Sequence, residues 1–493
     1  MEKLNMNLNI QQLPEEIIEK ILSFLNLESL KAAALTCKTL NEISSQMRWE
    51  LKLEFDNEIE EEPWVDVLLT SNRNFISIRC DGYIDKQNIR LMNFFENHGC
   101  KIQKLVIEGG KFHDSKIFCD ILSTMPKLKE ISFYNSNTKG RFADNISEDH
   151  LPHLPKLETL KLDESDFELM KYFKETQINS LEIVNHNTEL EMKILLDFLT
   201  NQKNLKCLNL VSISGIFFSE FFKTSIPAEN IPFKLKELLL SDINKIETFN
   251  HYNLLKFLEF HSDTVEKLGL IGLLADFVFE FIFAKFKRLV SLTFFNRALP
   301  CDLPLYKRLE INRNIKILNI PHLHLIEIKE DALTEFFKHV PNVEKLRTST
   351  MMSLDIVLNA LTRLKHLELY GLSPTLRQIK SQSLQSITID CLAFIHDWEK
   401  FATDNPKVDT MKIRIIDETF DIVELLTNMK LQHLDLPVIK VDDNVCKTLR
   451  ENTQDMQSLR IHKASFENCQ ENLSDIKCLR FHDESGNDDE DKI

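Results

Sequence analysis

The apolar residues of the N-terminal segment recur at helical spacing. Over residues 10–50 they stand three or four positions apart with charged residues between them, which predicts short helices that each have one apolar face. Pro14, followed by Glu15 and Glu16, suits the first turn of the first helix. So short a segment has more aliphatic surface than it can bury by itself. This surface therefore either caps the residues that follow or binds a partner through helix packing.

A different pattern fills the chain from residue 75 onward, where apolar residues occupy the first, fourth and sixth positions of a unit that keeps returning. About seventeen units are spaced by roughly 25 residues, which is the spacing of a repeat protein. When the three intervening positions must be polar or small, composition predicts ~5 matches by chance, whereas about twelve units qualify. The units begin at Phe75, Ile102, Leu128, Leu157, Ile178, Leu205, Leu235, Val265, Leu289, Ile315, Val343, Leu364, Leu384, Val408, Leu431, Met456 and Ile476.

Amphipathic stretches between the units predict helices. The clearest are Leu190–Leu199, Asp276–Phe286, Ala332–Val340, Ile356–Leu364 and Ile422–Met429. Because one unit cannot bury its own apolar face, strands stack on one side and helices on the other, which predicts an α/β solenoid. A non-repetitive α/β protein with a parallel sheet is the alternative.

The N-terminal residues resemble an F-box. The resemblance rests on Leu13-Pro14-x-Glu16-Ile17-Ile18-x-x-Ile21-Leu22-x-x-Leu25, then Leu30, then Cys37-Lys38-x-Leu40-x-x-Ile43. Many F-boxes have tryptophan near the position where this chain has Leu40. The resemblance implies binding to the Skp-type adaptor of a ubiquitin ligase and, through it, to a cullin. The adaptor-facing residues that it implies are Leu13, Pro14, Ile17, Ile21, Leu22, Leu25, Leu30, Cys37 and Leu40, each of which also suits a helix core.

The repeated units resemble degenerate leucine-rich repeats, and the resemblance implies a horseshoe-shaped solenoid. The asparagine or cysteine that usually follows the strand is mostly replaced by aliphatic residues such as Ile213, Leu273 and Leu392. The predicted organisation is an F-box-like module over 10–50, an acidic linker over 51–74, repeats over 75–482 and an acidic tail over 483–493.

Alternation along each predicted strand indicates which residues face away from the helices. In the middle units these residues are apolar, namely Val211, Leu239, Ile271, Phe295, Ile317 and Pro321, and exposed apolar patches often mark interaction sites. A register one residue off, or loops that cover the patch, would explain them equally well. In the last units they are basic, namely Lys412, Arg414, His433, Arg460, His462, Arg480 and His482.

A basic surface suits an acidic or phosphorylated segment, because arginine pairs well with such groups. The chain's own acidic tail either folds back onto this surface or stays solvated. The candidate target-binding residues are Val211, Leu239, Ile271, Phe295, Lys412, Arg414, Arg460 and Arg480.

Composition narrows the function classes. Gly 10 in 493 residues, with no Gly-rich phosphate loop, argues against nucleotide-binding enzymes and against a bound cofactor. A net charge of -16 argues against a nucleic-acid partner. The longest apolar stretch is too short and too charged to span a membrane. The scattered cysteines predict reduced thiols and no metal site. Without a targeting signal, the expected location is the cytoplasm or the nucleus.

These observations favour a non-catalytic receptor that brings a target protein to a ubiquitin ligase. The alternative is a scaffold that binds partner proteins without delivering them for ubiquitination. No nucleophile elbow, zinc-protease or kinase signature occurs in the sequence, so intrinsic catalysis is not expected.

Overall fold

The computed structural model divides the chain into two compact units, Met1–Lys234 and Leu235–Ile493. None of the helices among the described residues has the length and apolar character needed to cross a membrane. The structure describes residues 13–22, 27–46, 48–55, 68–69, 71–84, 89–112, 115–138, 151–184, 192–211, 221, 231–240, 251–271, 276–295, 303–320, 330–349, 354–370, 379–392, 397–415, 420–441, 443–466 and 479–481.

The first unit begins with three short helices, α1 (Glu15–Leu22), α2 (Leu27–Thr36) and α3 (Lys38–Gln46). Helices α1 and α2 both pack against α3, and this contact buries Ile18, Leu22, Ala34, Leu40 and Ile43. The Pro14 carbonyl accepts hydrogen bonds from the N–H groups of the first turn of α1. The Cys37 thiol accepts a hydrogen bond from Leu40 N at 3.5 Å, so it caps the start of α3.

The rest of the first unit is a ladder of parallel strands with helices between them. Its strands are β1 (Arg48–Phe55), β2 (Asn74–Ile84), β3 (Lys104–Phe112), β4 (Glu130–Tyr134), β5 (Asn137–Thr138), β6 (Thr159–Asp163), β7 (Ser180–Val184) and β8 (Cys207–Val211). Its helices are α4 (Ile89–His98), α5 (Ser115–Ser123) and α6 (Met192–Asn201), with 3-10 turns at Gly99–Lys101 and Phe167–Phe173. Strands β1, β2, β3, β4, β6, β7 and β8 pair in that order, and β5 adds to β3.

The second unit repeats the same arrangement. Its strands are β9 (Glu237–Leu240), β10 (Lys267–Ile271), β11 (Ser291–Phe295), β12 (Ile317–Ile320), β13 (Lys345–Ser349), β14 (His366–Tyr370), β15 (Ser386–Leu392), β16 (Thr410–Ile415), β17 (His433–Val441), β18 (Ser458–Phe466) and β19 (Leu479–Phe481). Its helices are α7 (His251–His261), α8 (Asp276–Lys285), α9 (Leu303–Tyr306), α10 (Glu330–Lys338), α11 (Leu354–Ala360), α12 (Trp398–Asp404), α13 (Ile422–Asn428) and α14 (Asp443–Asn452). Each strand from β9 to β19 pairs in parallel with the next.

In the units whose side chains the structure describes, the three apolar positions form the core between sheet and helices. In β14 and the turn before it, Leu364, Leu367 and Leu369 are all fully buried. Phenylalanine fills much of the space beneath the helices. Phe279 of α8 stacks on Phe294 of β11, with ring centroids 5.3 Å apart. Phe279, Phe283 and Phe336 are all fully buried, so phenylalanine serves as a core residue here.

Buried polar side chains link each repeat to the one before it. Gln202, Asn312 and Asn405 each lie in the turn just before a strand, and each donates from its amide to a main-chain carbonyl 26 residues earlier. The His261 Nδ1 accepts a hydrogen bond from Leu235 N, also 26 residues away. We call these contacts the inter-repeat bridges. They satisfy main-chain groups that water cannot reach.

The predicted elements agree in kind with the observed ones, with shifted ends. The fold class predicted from the sequence, short N-terminal helices followed by α/β repeats, is confirmed. The stretch predicted as a helix over Ile356–Leu364 is helical over Leu354–Ala360, because Leu364 already belongs to the next core row. Residues 51–55 of the predicted linker belong to β1. Residues 56–67, the predicted acidic tail, Pro321 and His482 lie outside the described residues.

The cysteines differ from the expectation at one position. Cys37, Cys80, Cys100, Cys119 and Cys207 are free thiols. Cys446 is disulfide-bonded, so the prediction of reduced thiols is wrong there. Burial raises the pKa of the Cys80 thiol to about 12, which keeps this side chain protonated and inert.

Candidate functional site

The N-terminal helices leave apolar side chains on the surface. Ile17 and Ile21 lie one turn apart on α1 and are 45% and 39% exposed, and Leu35 on α2 is 88% exposed. Ile18 and Leu22 on the other side of α1 are buried, so α1 has one apolar face inside the module and a second one outside. Exposed apolar patches often mark interaction sites, and an apolar helix face suits packing against another helix.

The predicted adaptor-facing residues fall into three groups. Pro14, Ile17 and Ile21 are exposed, and Leu13 and Cys37 are half-buried. Leu22 and Leu40 are buried, so they support the helices from within. Leu25 and the side chain of Leu30 lie outside the described residues. Leu35 was not among the predicted residues. The sequence did offer a hint, because Leu35 is a large apolar residue that directly follows three alanines near the end of α2.

One face of the sheet of the second unit is lined, among the described residues, by half-buried and exposed side chains that alternate with the core residues, and we call it the open face. Its middle row is continuous, because strand pairing sets one residue of each strand beside the next. The row reads Leu239, Gly269, Thr293, Asn319, Arg347, Glu368, Thr388, Lys412, Asp435, Arg460 and Arg480. The row changes from small and apolar at one end to charged at the other.

A depression of about 260 Å³ lies at the apolar end of the open face. Small side chains of β10 and β11 make its floor, and Leu239 and Ile317 contribute apolar atoms. A Cβ on Gly269 would collide with Cδ1 of Leu239, so this glycine lets Leu239 lie across β10. The Oδ1 atom of Asn319, at the edge of the depression, is buried and has no hydrogen-bond partner among the described residues.

An aromatic and charged cluster borders the depression on β13 and β14. The Arg347 guanidinium lies 4.2 Å from the centre of the Tyr370 ring, which is a cation–π contact. The Tyr370 hydroxyl donates to Oε2 of Glu368 at 3.1 Å, and Lys345 Nζ lies 2.5 Å from Oε1. Burial, followed by the charge of Glu368, raises the pKa of Tyr370 to about 12, so its hydroxyl stays protonated.

Basic side chains continue along the open face beyond this cluster. Lys412 of β16 pairs with Asp435 of β17 at 3.7 Å. Arg414 lies half-buried one row further along β16, and Arg460 of β18 is exposed. The pairing of β18 with β19 sets Arg480 beside Arg460.

The predicted target-binding residues are divided between the two units. Leu239, Lys412, Arg414 and Arg460 lie on the open face. Val211 is at the end of β8 in the first unit. Ile271 and Phe295 end β10 and β11, but their side chains, like that of Arg480, lie outside the described ones.

Sequence reasoning missed Lys345, Arg347 and Tyr370. Their signal was present, because Arg347 stands between the last two core residues of its unit, as Lys412 does. In the part of the chain that the structure describes, no cluster of three or more His, Cys, Asp or Glu residues could hold a metal ion.

Comparison with known proteins identifies the N-terminal module. Residues 10–49 match the F-box-like family. No curated protein matches the chain. The repeat architecture itself is assigned from the strand register and helix packing described above.

Three solved structures are similar to this chain at low identity. The leucine-rich-repeat protein LegL7 from Legionella pneumophila is 17% identical, with a TM-score of 0.37, over 64% of this chain and 97% of that one. The internalin InlF from Listeria monocytogenes is 14% identical, with a TM-score of 0.32, over 80% and 96%. A TLR13–ssRNA13 complex is 13% identical, with a TM-score of 0.30, over 89% and 61%.

Proposed function

We propose that this chain is the substrate-recognition subunit of an SCF-type ubiquitin ligase in the cytoplasm or nucleus. Its F-box-like helices bind a Skp-type adaptor and thereby a cullin, and its repeats bind a protein to be ubiquitinated. The proposal is supported by the F-box-like match over residues 10–49 and by the parallel-strand repeats that follow.

The observation that carries the proposal is the exposed apolar surface of Ile17, Ile21 and Leu35 within the matched segment. Full burial of an exposed aliphatic side chain is worth about 1.5–3 kcal/mol. Leu35, at 88% exposed, has most of this still to gain, and Ile17 and Ile21, at 45% and 39%, each have somewhat less than half. A helical partner with a complementary groove would cover them.

The contribution of such a subunit is proximity. A chain that holds the ligase core at one end and a target at the other raises the effective concentration of the two reactants. The chain itself makes and breaks no bond in this proposal, and it uses no cofactor.

Adaptor binding tests the proposal directly. We expect purified full-length chain to bind a Skp-type adaptor, and the double variant Ile17→Asp with Ile21→Asp to bind at least about tenfold more weakly, because two charges replace buried apolar contacts. Ile311→Asp is the matched control, since Ile311 is an exposed isoleucine (54%) of the second unit. Equal adaptor binding by the wild type and the double variant would refute the assignment.

A cellular comparison separates a receptor from a scaffold. Cells that express the wild type or the double variant are compared for ubiquitinated peptides. A receptor requires at least one protein whose ubiquitination falls with the variant and not with Ile311→Asp. If adaptor binding is lost and no ubiquitination changes, the chain is a scaffold.

A further inference from the structure

The open face of β13–β18 is basic, although the whole chain is acidic. Among its described side chains, five are lysine or arginine, namely Lys345, Arg347, Lys412, Arg414 and Arg460. Three are acidic, namely Glu368, Asp390 and Asp435. We call this surface the basic face. On a chain of net charge -16, a local excess of positive charge needs a physical reason.

Two of the three acidic residues of the basic face, Glu368 and Asp435, are already paired with lysines of that face. Glu368 receives the Tyr370 hydroxyl, and its oxygens lie 2.5 Å from Lys345 Nζ and 3.9 Å from Arg347 Nε. At 3.9 Å the Arg347 contact is too long for a hydrogen bond. The buried Nε of Arg347 has no hydrogen-bond partner among the described residues. The Arg347 side chain as a whole is 29% exposed, so a carboxylate from a partner can still approach the open side of its guanidinium and form a charge-assisted pair.

The positions of the basic residues set a spacing for such carboxylates. Neighbouring strands lie about 4.8 Å apart, so Arg347 on β13 and Lys412 on β16 are separated by roughly 14 Å, and Lys412 and Arg460 by roughly 10 Å. An extended chain that crosses the strands advances about 3.3 Å per residue. Acidic side chains about four and then about three residues apart would therefore meet these three basic residues.

The depression beside Arg347 adds an apolar requirement. Its lining by Leu239, Gly269, Thr293 and Ile317 suits an aliphatic side chain roughly three residues from the first carboxylate. A nucleic acid fits this surface less well. Its backbone carries a negative charge at every nucleotide, so some phosphates would lie against Glu368, Asp390 and Asp435 and be repelled.

We infer that the basic face and the adjoining depression bind an extended acidic segment of a partner protein, in which an aliphatic residue precedes or follows carboxylates at these spacings. This inference extends the proposed function. It rests on the proposed function only in calling the partner protein a target for ubiquitination. The segment lies across the strands, with its carboxylates on Arg347, Lys412 and Arg460 and its aliphatic side chain in the depression.

Selection from a random 16-residue peptide display library on the full-length chain tests the inference. We expect enriched peptides that share an acidic cluster beside an aliphatic residue. As fluorescent synthetic peptides they should bind the wild type on the order of tenfold or more tightly than Arg347→Glu with Lys412→Glu, and more weakly as salt rises. Lys407→Glu with Lys430→Glu is the matched control, because both lysines are exposed in turns before β16 and β17.

Three results would overturn the inference. The first is enrichment without an acidic consensus, or equal binding by the two double variants. The second is equal competition by a single-stranded oligonucleotide of the same charge. The third is binding only to a chain truncated after Phe481, which would assign the basic face to the chain's own tail. Adaptor binding, measured in parallel, is unchanged in all these variants if the proposed function holds, so the two proposals fail separately.

Discussion

At two buried glycines of the repeats, neighbouring atoms occupy the space that a Cβ would need. Gly99 is buried in the 3-10 turn after α4, where an added Cβ would lie 2.7 Å from the main-chain carbonyl oxygen of Thr124. Gly269 is buried in β10, where the obstacle is the end of the Leu239 side chain. A main-chain oxygen can move aside only if the whole turn moves with it, whereas the end of a leucine side chain can move by itself.

Substitution of the two glycines should therefore have unequal effects. We expect Gly99→Ala to lower stability by about 1–3 kcal/mol, because the turn and the Thr124 main chain must separate. Gly269→Ala should lower stability by less, because Leu239 changes rotamer. Thermal unfolding of both variants checks this, and a larger loss for Gly269→Ala would contradict the account. Gly269→Ala should also reshape the depression by pushing Leu239 outward.

The inter-repeat bridges act at the scale of single elements. Asn405 begins the turn after α12 and is fully buried. Its amide donates to Ile379 O at 2.9 Å, and its Oδ1 accepts from Ser381 N at 3.1 Å. One side chain thus serves both a donor and an acceptor of the preceding repeat.

Removal of a bridge should cost more than removal of a surface amide. We expect Asn405→Ala to destabilise the second unit by about 1–3 kcal/mol, because it leaves buried main-chain groups without a hydrogen-bond partner. Asn452→Ala is the control, because Asn452 is exposed and its amide donates within its own helix, to Thr448 O. It should change stability by less than about 0.5 kcal/mol. Chemical denaturation of both variants measures the difference, and similar losses would show that the bridges are dispensable.

The sequence predicted the elements well where their pattern is periodic. Alternation in Leu364, Leu367 and Leu369 set both the strand and its buried side, because only one register buries all three. The 3-10 turn Phe167–Phe173 could not be predicted this way, since its apolar residues fit no helical or strand period.

The candidate sites were harder to predict than the fold. The sequence indicated Ile17, Ile21 and Lys412, but whether a side chain is exposed depends on packing between helices. Ile17 and Leu22 read alike in the sequence, yet one is exposed and the other buried. The contact of Arg347 with the Tyr370 ring on the next strand depends on strand pairing, so the sequence alone did not single out Arg347.

At the scale of the whole molecule, buried histidines make stability depend on pH. Burial lowers the pKa of His98 and of His339 below the ordinary value of 6.5. The unfolded chain therefore takes up protons first as pH falls. Stability from these residues is fully present above pH 6.5 and is lost as pH falls from there toward the lower folded pKa.

We expect the melting temperature to fall between pH 7.5 and pH 5.5, with each histidine contributing at most about 1.4 kcal/mol per pH unit. The double variant His98→Gln with His339→Gln should lose less over the same interval, whatever its stability at pH 7.5. Thermal unfolding of both proteins at the two pH values decides this, and parallel pH profiles would exclude the two histidines as the cause.

The inter-repeat bridges also bear on how such a chain changes length in evolution. Glutamine, asparagine and histidine fill equivalent places, and each hydrogen-bonds to main-chain atoms of the previous repeat. The bridge therefore does not depend on which side chains the previous repeat has. Duplication or deletion of one whole repeat would place a bridging side chain against main-chain groups that it already fits. The array can therefore gain or lose repeats without a new kind of contact between them.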